Sequence, residues 1–277
     1  IAKAFAELGV TKIRLTGGEP LVRNDAIKLA QDLASIEQIK TLAITTNGSK
    51  LTRYAKDLKQ AGVSRLNISL DTLDEKRFQE ITRIGTLQKV LDGIAAAQDA
   101  GFEHTKINAV IMKGQNDHEV DGLVDFALQN NLDISFIEEM PVGVLSERDR
   151  LESFCSSEDI KGIIQQSKSL IPSVESSGGP SRYFTVPGHS SRIGFISPHS
   201  NNFCSSCNRL RLTAEGRLLL CLGNEDSVDL RGLIRRYPGD VQRLKDAIVA
   251  AVQHKPKEHV FDHSETHILR FMNMTGG

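Results

Sequence analysis

The chain has 277 residues, 39% of them hydrophobic, which is enough to bury a core for one large domain or for one domain with an extension. Its formal net charge is −1, so no bulk basic field favours nucleic acid, and any anion must be held by placed residues. No apolar run approaches about 18 residues and no charged-then-apolar leader opens the chain, so nothing argues for a membrane span or export, and a cytoplasmic setting is expected.

The opening stretch 1–10 reads as the second half of an amphipathic helix, and a start at Ile1 rather than Met suggests that the chain begins inside a domain. From there strands alternate with helices. Strands are predicted at 10–16, 41–46, 64–70, 104–112 and 132–138, with helices near 24–36 and 51–61, onward to about 100, and near 117–130. Repeated strand–helix units imply parallel strands with helices outside, as a barrel or an open sheet. The character changes after Met140, so we divide the chain into 1–140 and 141–277. Residues 141–203 are rich in Ser, Gly and Pro, with a helix expected over 157–167 and several short strands. A β-hairpin follows around Ala214-Glu215-Gly216, then helices near 227–235 and 238–254. The tail carries no assigned element, and Lys255, Pro256 and His259 read as solvated.

Alternate residues of a strand share a face, which gives the strands a phase. Lys12, Arg14 and Thr16 lie on one side of the first strand, opposite Ile13 and Leu15. Asn67 and Ser69 oppose Leu66 and Ile68, Lys106 and Asn108 oppose Ile107 and Ala109, and Thr45 lies near the end of the second strand. Parallel strands covered by helices normally read as apolar on both faces. A polar face repeated over several strands, three of its residues cationic, suggests a barrel interior open to an anionic ligand, with the site at the C-terminal strand ends. The bland alternative is an edge strand wetted by water.

Directly after the first strand comes Gly17-Gly18-Glu19-Pro20. Its glycines allow backbone to approach a ligand closely, and Glu19 offers a carboxylate to an ammonium group. An ordinary strand-ending turn would use the same residues.

The four cysteines read as metal ligands rather than disulfides in a chain without an export signal. Cys204, Cys207 and Cys221 form a Cys-x2-Cys-x13-Cys cluster whose last member returns on the hairpin. With a turn centred near 214, Cys207 falls roughly opposite Cys221, and Cys207, Arg209 and Arg211 share a face. Two readings stay open at this point: a Cys3His zinc site completed by His199, or an iron–sulfur cluster with one iron left open. The arginines favour the open site, because guanidiniums pair well with phosphate. Cys155 is isolated and reads as a small buried hydrophobe.

The run RLTGGEPLVR at 14–23 and the CSSCNRLRLT hairpin together resemble the molybdenum cofactor biosynthesis protein A family, the radical S-adenosylmethionine enzymes that act as GTP 3′,8-cyclases. TTNG at 45–48, NISLDT at 67–72, Lys106, EEMPVG at 138–143 and the terminal Gly276-Gly277 fit the same family, so the likeness runs over essentially the whole chain. The resemblance implies a partial (βα)6 barrel of the TIM type, lacking its first strand and carrying a C-terminal α+β extension with an auxiliary cluster. It implies S-adenosylmethionine contacts at Gly18, Ser69 and Met140, with Glu19 an addition. It implies GTP contacts at Arg14, Thr45, Lys106, Arg209, Leu210 and Arg211, with Lys12 joining them. Cys204, Cys207 and Cys221 would hold an auxiliary four-iron four-sulfur cluster whose open iron meets the guanine base, and the Gly-Gly tail would reach the active site.

The family's chemistry is radical. A first cluster reduces S-adenosylmethionine, the resulting 5′-deoxyadenosyl radical removes hydrogen from C3′ of GTP, and the ribose radical closes on C8. The resemblance also implies an external electron donor and allows a homodimer. It departs in one respect: the family's first cluster needs a Cys-x3-Cys-x2-Cys run, and no cysteine precedes Cys155. The chain is therefore expected to be a fragment lacking that loop and unable to cleave S-adenosylmethionine. Two other functions compete, a radical enzyme of another kind with an auxiliary cluster and a non-enzymatic zinc- or nucleotide-binding module.

Overall fold

The computed structural model describes residues 1–142 and 150–258, with the side chains of Arg150 and Leu151 left aside. The expectations for Gly143, His259 and Gly276-Gly277 lie outside the described residues.

In chain order the elements are α1 (Ala2–Glu7), β1 (Lys12–Leu15), α2 (Ala26–Ala34), β2 (Thr41–Thr46), α3 (Leu51–Gln60), β3 (Arg65–Ser69), α4 (Glu75–Thr82), α5 (Leu87–Asp99), β4 (Lys106–Ile111), α6 (Val120–Gln129) and β5 (Asp133–Glu138). Then come α7 (Arg150–Ser153), α8 (Ser157–Gln165), β6 (Ile171–Pro172), β7 (Arg182–Thr185), β8 (Arg192–Ile196), β9 (Arg211–Leu212), β10 (Arg217–Leu219), β11 (Ser227–Asp229), α9 (Leu230–Arg236) and α10 (Val241–Gln253). No helix among the described residues is long and apolar enough to cross a membrane.

One eight-stranded sheet runs β1-β2-β3-β4-β5-β8-β7-β6. Its first six members are parallel, and β7 and β6 add to them antiparallel. This is a partial βα barrel, whose sheet continues past residue 140 through β8. The register fixes which side chains share the inner face. Arg14 stands beside Ala43, Ala43 beside Arg65, Asn67 beside Lys106, Lys106 beside Asp133, and Ser135 beside Gly194.

The outer face is apolar. Leu42, Ile44, Leu66, Ile68, Ile107, Ala109, Ile134, Phe136, Ile193 and Phe195 point there and bury against the helices, which contribute Ala30, Leu58, Ile94, Val124 and Ile160 to one continuous core. Period-two strands and period-3.6 helices thus meet on one side, and polar groups are left to line the other. Gly194 shows how tightly the inner face closes near β7. A methyl group there would sit 2.1 Å from Ser181 Oγ and 2.6 Å from Ser135 Oγ, atoms that now bond to each other at 3.0 Å.

A second apolar cluster packs Ala4 of α1 against Leu218, Leu220, Leu230, Leu244, Ile248 and Ala251. It mounts the small sheet β11-β10-β9 on α9 and α10. The hairpin differs from the expected register. Leu212 pairs with Leu218 and Arg211 with Leu219, so the turn centres on residue 215 rather than 214. The reason is a three-residue loop: Gly216 adopts φ +79 and donates to Thr213 O at 2.9 Å, while Thr213 N–H reaches Arg217 O at 2.9 Å. A left-handed third loop residue is what such a turn requires. Carried forward, this register sets Arg209 rather than Cys207 across from Cys221. The segment expected to begin as helix at 227 opens instead as β11.

Candidate functional site

The inner face forms a cavity lined by Lys12, Arg14, Arg65, Asn67, His104, Lys106, Asp133, Ser177, Tyr183 and Arg192. Lys12 and Lys106 are the first residues of their strands, so this cationic end lies opposite the C-terminal rim where the strand parity had put the whole site.

The charges here are unbalanced. Asp133 is already engaged by Arg192, whose Nε donates to its two carboxylate oxygens at 3.2 and 3.1 Å, and Glu175 binds the same guanidinium at 3.0 Å. Lys12, Arg14, Arg65 and Lys106 are left facing one another. Burial, then Arg14, Arg65 and Lys106, bring Lys12 down to about 8. Lys106 is also held below its ordinary value, chiefly by burial, with Arg14 adding to the effect and Tyr183 opposing it. Arg14 keeps contact with solvent in the cleft yet lies deep within it, and removal from bulk water followed by Arg209 and Arg65 lowers its pKa. Asn67, only 5% exposed, accepts from both terminal nitrogens of Arg14 at 3.0 and 3.2 Å once its amide oxygen faces them. Lys12 Nζ donates to Ser177 O at 2.8 Å, and Ser177 Oγ lies 3.0 Å from Tyr183 OH, which straps the 173–181 loop across this end. A crowd of cations with too few carboxylates is built for an anion.

Arg65, Tyr183 and Arg192 escaped the sequence reading. Arg65 was legible, since it shares parity with Asn67 and Ser69. Tyr183 and Arg192 were not, because their strands had not been located.

Near the C-terminal end of β2, Thr45 is 8% exposed, and its Oγ1 has no hydrogen-bond partner among the described residues. A buried hydroxyl left unmatched invites a ligand. Gly18, Ser69 and Met140 follow or end β1, β3 and β5, at the C-terminal rim. A side chain at Gly18 would meet nothing within 4 Å, so the space beside it is open. Glu19 is otherwise occupied: it accepts from Leu21 N–H at 3.0 Å, Thr46 Oγ1 at 2.9 Å and Asn47 N–H at 2.7 Å, locking the glycine turn to the end of β2.

The cysteine hairpin does not line this cavity, but its Arg209 lies near enough for its charge to act on Arg14. Arg211 is lowered to about 10, mainly by burial, with Arg209 and Arg14 pushing down and Cys207 and Cys221 pulling up. It remains a cation at neutral pH. Two thiols and three guanidiniums therefore share one electrostatic neighbourhood. Leu210, half-buried, packs against the second apolar cluster.

Cys204, Cys207 and Cys221 form no disulfide and are partly exposed, whereas Cys155 is 2% exposed. The thiols differ accordingly. Burial, joined by Asp159 and Asp117, pushes Cys155 up to about 11. Burial also works against the Cys207 thiolate, but the Arg209 main chain and the charges of Arg209 and Lys255 outweigh it and lower that pKa. Thiolates are what bind metal, so the hairpin is the favoured place. No three Cys, His, Asp or Glu side chains among the described residues converge tightly enough to grip a single ion. His199 instead lies edge-on to Phe154, with ring centroids 5.7 Å apart. Lys255, expected to be solvated, points inward, with its Nζ 3.8 Å from Cys207 Sγ.

Comparison with known proteins identifies the family. The Radical SAM superfamily profile matches residues 1–127, and the Molybdenum Cofactor Synthesis C profile matches residues 132–261. The chain is 55% identical to a GTP 3′,8-cyclase of Pseudomonas savastanoi pv. phaseolicola over 281 residues, covering 100% of this chain and 84% of that protein. It is 57% identical to GTP 3′,8-cyclase 1 of Pseudomonas aeruginosa strain PAO1 over 279 residues, with the same coverage. Among solved structures it resembles SuiB of Streptococcus suis bound to S-adenosylmethionine, with TM-score 0.59 and 18% identity over 89% of this chain and 60% of that one, a likeness of fold.

Proposed function

Because this chain belongs to the GTP 3′,8-cyclase family of radical S-adenosylmethionine enzymes, we propose that it holds GTP inside its barrel, the triphosphate among Lys12, Arg14, Arg65 and Lys106 and the base toward the cysteine hairpin. The observation that carries this reading is the run of four cations along one cavity whose Asp133 is already spent on Arg192. A triphosphate supplies the missing negative charge. Arg209 and Arg211 bridge the two ends of the ligand, able to grip phosphate or base oxygens in paired fashion. The Thr45 hydroxyl gains the partner it lacks among the described residues.

Cys204, Cys207 and Cys221 would hold the auxiliary four-iron four-sulfur cluster, and Gly18, Ser69 and Met140 would contact S-adenosylmethionine. In this superfamily S-adenosylmethionine, reduced at a cluster, supplies a carbon radical that removes one hydrogen atom from the substrate. The reading assigns that reducing cluster to no residue of this chain, since no cysteine precedes Cys155, and it calls for an external electron donor and allows a homodimer. What the protein itself contributes is placement. The cations fix the triphosphate, so the ribose is held between the rim of Gly18, Ser69 and Met140 and the hairpin. The apolar outer core and the strapped 173–181 loop keep the cavity walls in place.

Anaerobic reconstitution followed by iron, sulfide and zinc analysis, then calorimetric titration with GTP and ATP, tests this. The expected result is iron and sulfide without zinc, and GTP bound more tightly than ATP. Replacing Arg209 or Arg211 should weaken GTP by about 1–3 kcal/mol. Equal affinity for GTP and ATP with no effect of either arginine would overturn the reading.

A further inference from the structure

We propose that Lys255 is a positioning residue for the three-thiolate centre: its ammonium ties the two arms of the cysteine hairpin together and sets the charge felt by the group those thiolates hold. This rests on the auxiliary-cluster reading above.

The ladder between β9 and β10 covers only Arg211–Leu219 and Leu212–Leu218. Beyond it, the arm carrying Cys207 and Arg209 and the arm carrying Leu220 and Cys221 must be held by something else. Lys255 spans that gap. Its Nζ donates to Leu220 O at 2.6 Å and to Arg209 O at 3.2 Å, one carbonyl from each arm, and lies 3.8 Å from Cys207 Sγ. An ammonium has three protons, and these three acceptors use them all. Lys255 forms no carboxylate ion pair among the described residues, so its charge is directed at the sulfur side. Of the ionisable groups on the hairpin, the Cys207 thiol is the one that feels the lysine's charge.

Its mounting is rigid. Lys255 directly follows His254, which ends α10, and α10 is anchored by Leu244, Ile248 and Ala251 against Leu218 and Leu220 of the hairpin. The helix and the hairpin are thus one packed unit, with the lysine crossing between them.

Hydrogen bonds to ligand sulfurs and nearby positive charge help set the potential of an iron–sulfur centre. Reduction adds negative charge, so a fixed cation beside a ligand sulfur favours the reduced form. Removing the cation should therefore lower the midpoint potential, while a change that keeps the charge should not.

The test uses the full chain, reconstituted anaerobically, as wild type, Lys255→Gln, Lys255→Arg and Cys207→Ala. Iron and sulfide are measured, then each sample is titrated with dithionite under electron paramagnetic resonance, and iron release to a chelator is timed. We expect Lys255→Gln to shift the midpoint to lower potential and to release iron several-fold faster. Lys255→Arg should stay near wild type. A wild-type midpoint in Lys255→Gln, or the same downward shift in Lys255→Arg, would overturn the proposal. Should Lys255→Gln take up no iron, Lys255→Arg decides: restored uptake supports the role of charge, and absent uptake in both overturns it. Cys207→Ala separates this from the parent reading, because full iron content in that variant would remove the cluster from the hairpin altogether.

Discussion

Replacing Lys106 by Met should make the free protein more stable while weakening its grip on GTP. Lys106 opens β4 with its side chain in a cavity already holding Lys12, Arg14 and Arg65. Burial and Arg14 both depress its pKa, so the charged form is held there at a cost. Like charges about 4 Å apart repel by about 4 kcal/mol at an effective dielectric of about 20, and cations spread across a cavity repel by roughly half that. Met fills similar space without charge. Losing the hydrogen bond with Tyr183 takes back about 1 kcal/mol, although that phenol keeps Ser177 as a partner. The balance is a gain of about 1 kcal/mol, or roughly 2–4 °C in Tm for a chain of this size. Against GTP the variant loses a charge-assisted contact of about 1.5–3 kcal/mol, a weakening of roughly 10- to 150-fold. Scanning calorimetry and GTP titration on the same preparation read both effects. A lower Tm together with unchanged GTP affinity would refute the reasoning.

Lys12, lowered to about 8, makes GTP binding weaken as pH rises through that value, and Lys12→Met should flatten the profile of affinity against pH. The same shift acts with opposite sign on the empty protein. The unfolded chain keeps this proton up to about 10.5, so stability should rise between about pH 8 and 10.5, and the rise should vanish in the variant. Glu138, fully buried, accepts from Ser157 N–H at 2.9 Å, from His199 and Ser200 N–H at 3.1 Å each, and from Ser200 Oγ. Burial disfavours its charge, but those bonds outweigh burial and hold its pKa low, so its contribution is present above the ordinary carboxylate range and is lost as pH falls through the depressed value. Glu138→Gln, which turns an amide donor toward these N–H groups, should cost about 2–4 kcal/mol by denaturant melting. Cys155→Ala should cost about 1–2 kcal/mol from lost packing and leave iron content unchanged.

Much of the barrel could be read from alternation alone. Lys12 and Arg14, Asn67 and Ser69, and Lys106 and Asn108 turn inward because Ile13, Leu66, Ile68 and Ile107 are claimed by the helices outside. The same alternation, followed two residues earlier on β3, leads to Arg65. What was illegible depends on contacts across long separations. β8 joins β5 because Gly194 lets Ser135, Ser181 and Tyr183 crowd together, a relation no local pattern announces. Lys255 looks like any charged residue after a helix until the fold sets it beside carbonyls 35 and 46 residues away. The hairpin register turned on a single left-handed glycine, Gly216, and moved Cys207 two positions relative to its expected partner.

The proposed coupling of the cation cavity to the cysteine hairpin can be measured directly, by recording the electron paramagnetic resonance spectrum of the reconstituted, reduced cluster with and without saturating GTP, binding being confirmed by calorimetry. A nucleotide lying between Arg14 and the cysteine hairpin must alter that spectrum, and the alteration should disappear in an Arg14→Met variant that no longer binds GTP. A spectrum unchanged by GTP that is demonstrably bound would put the nucleotide and the thiolates in separate places.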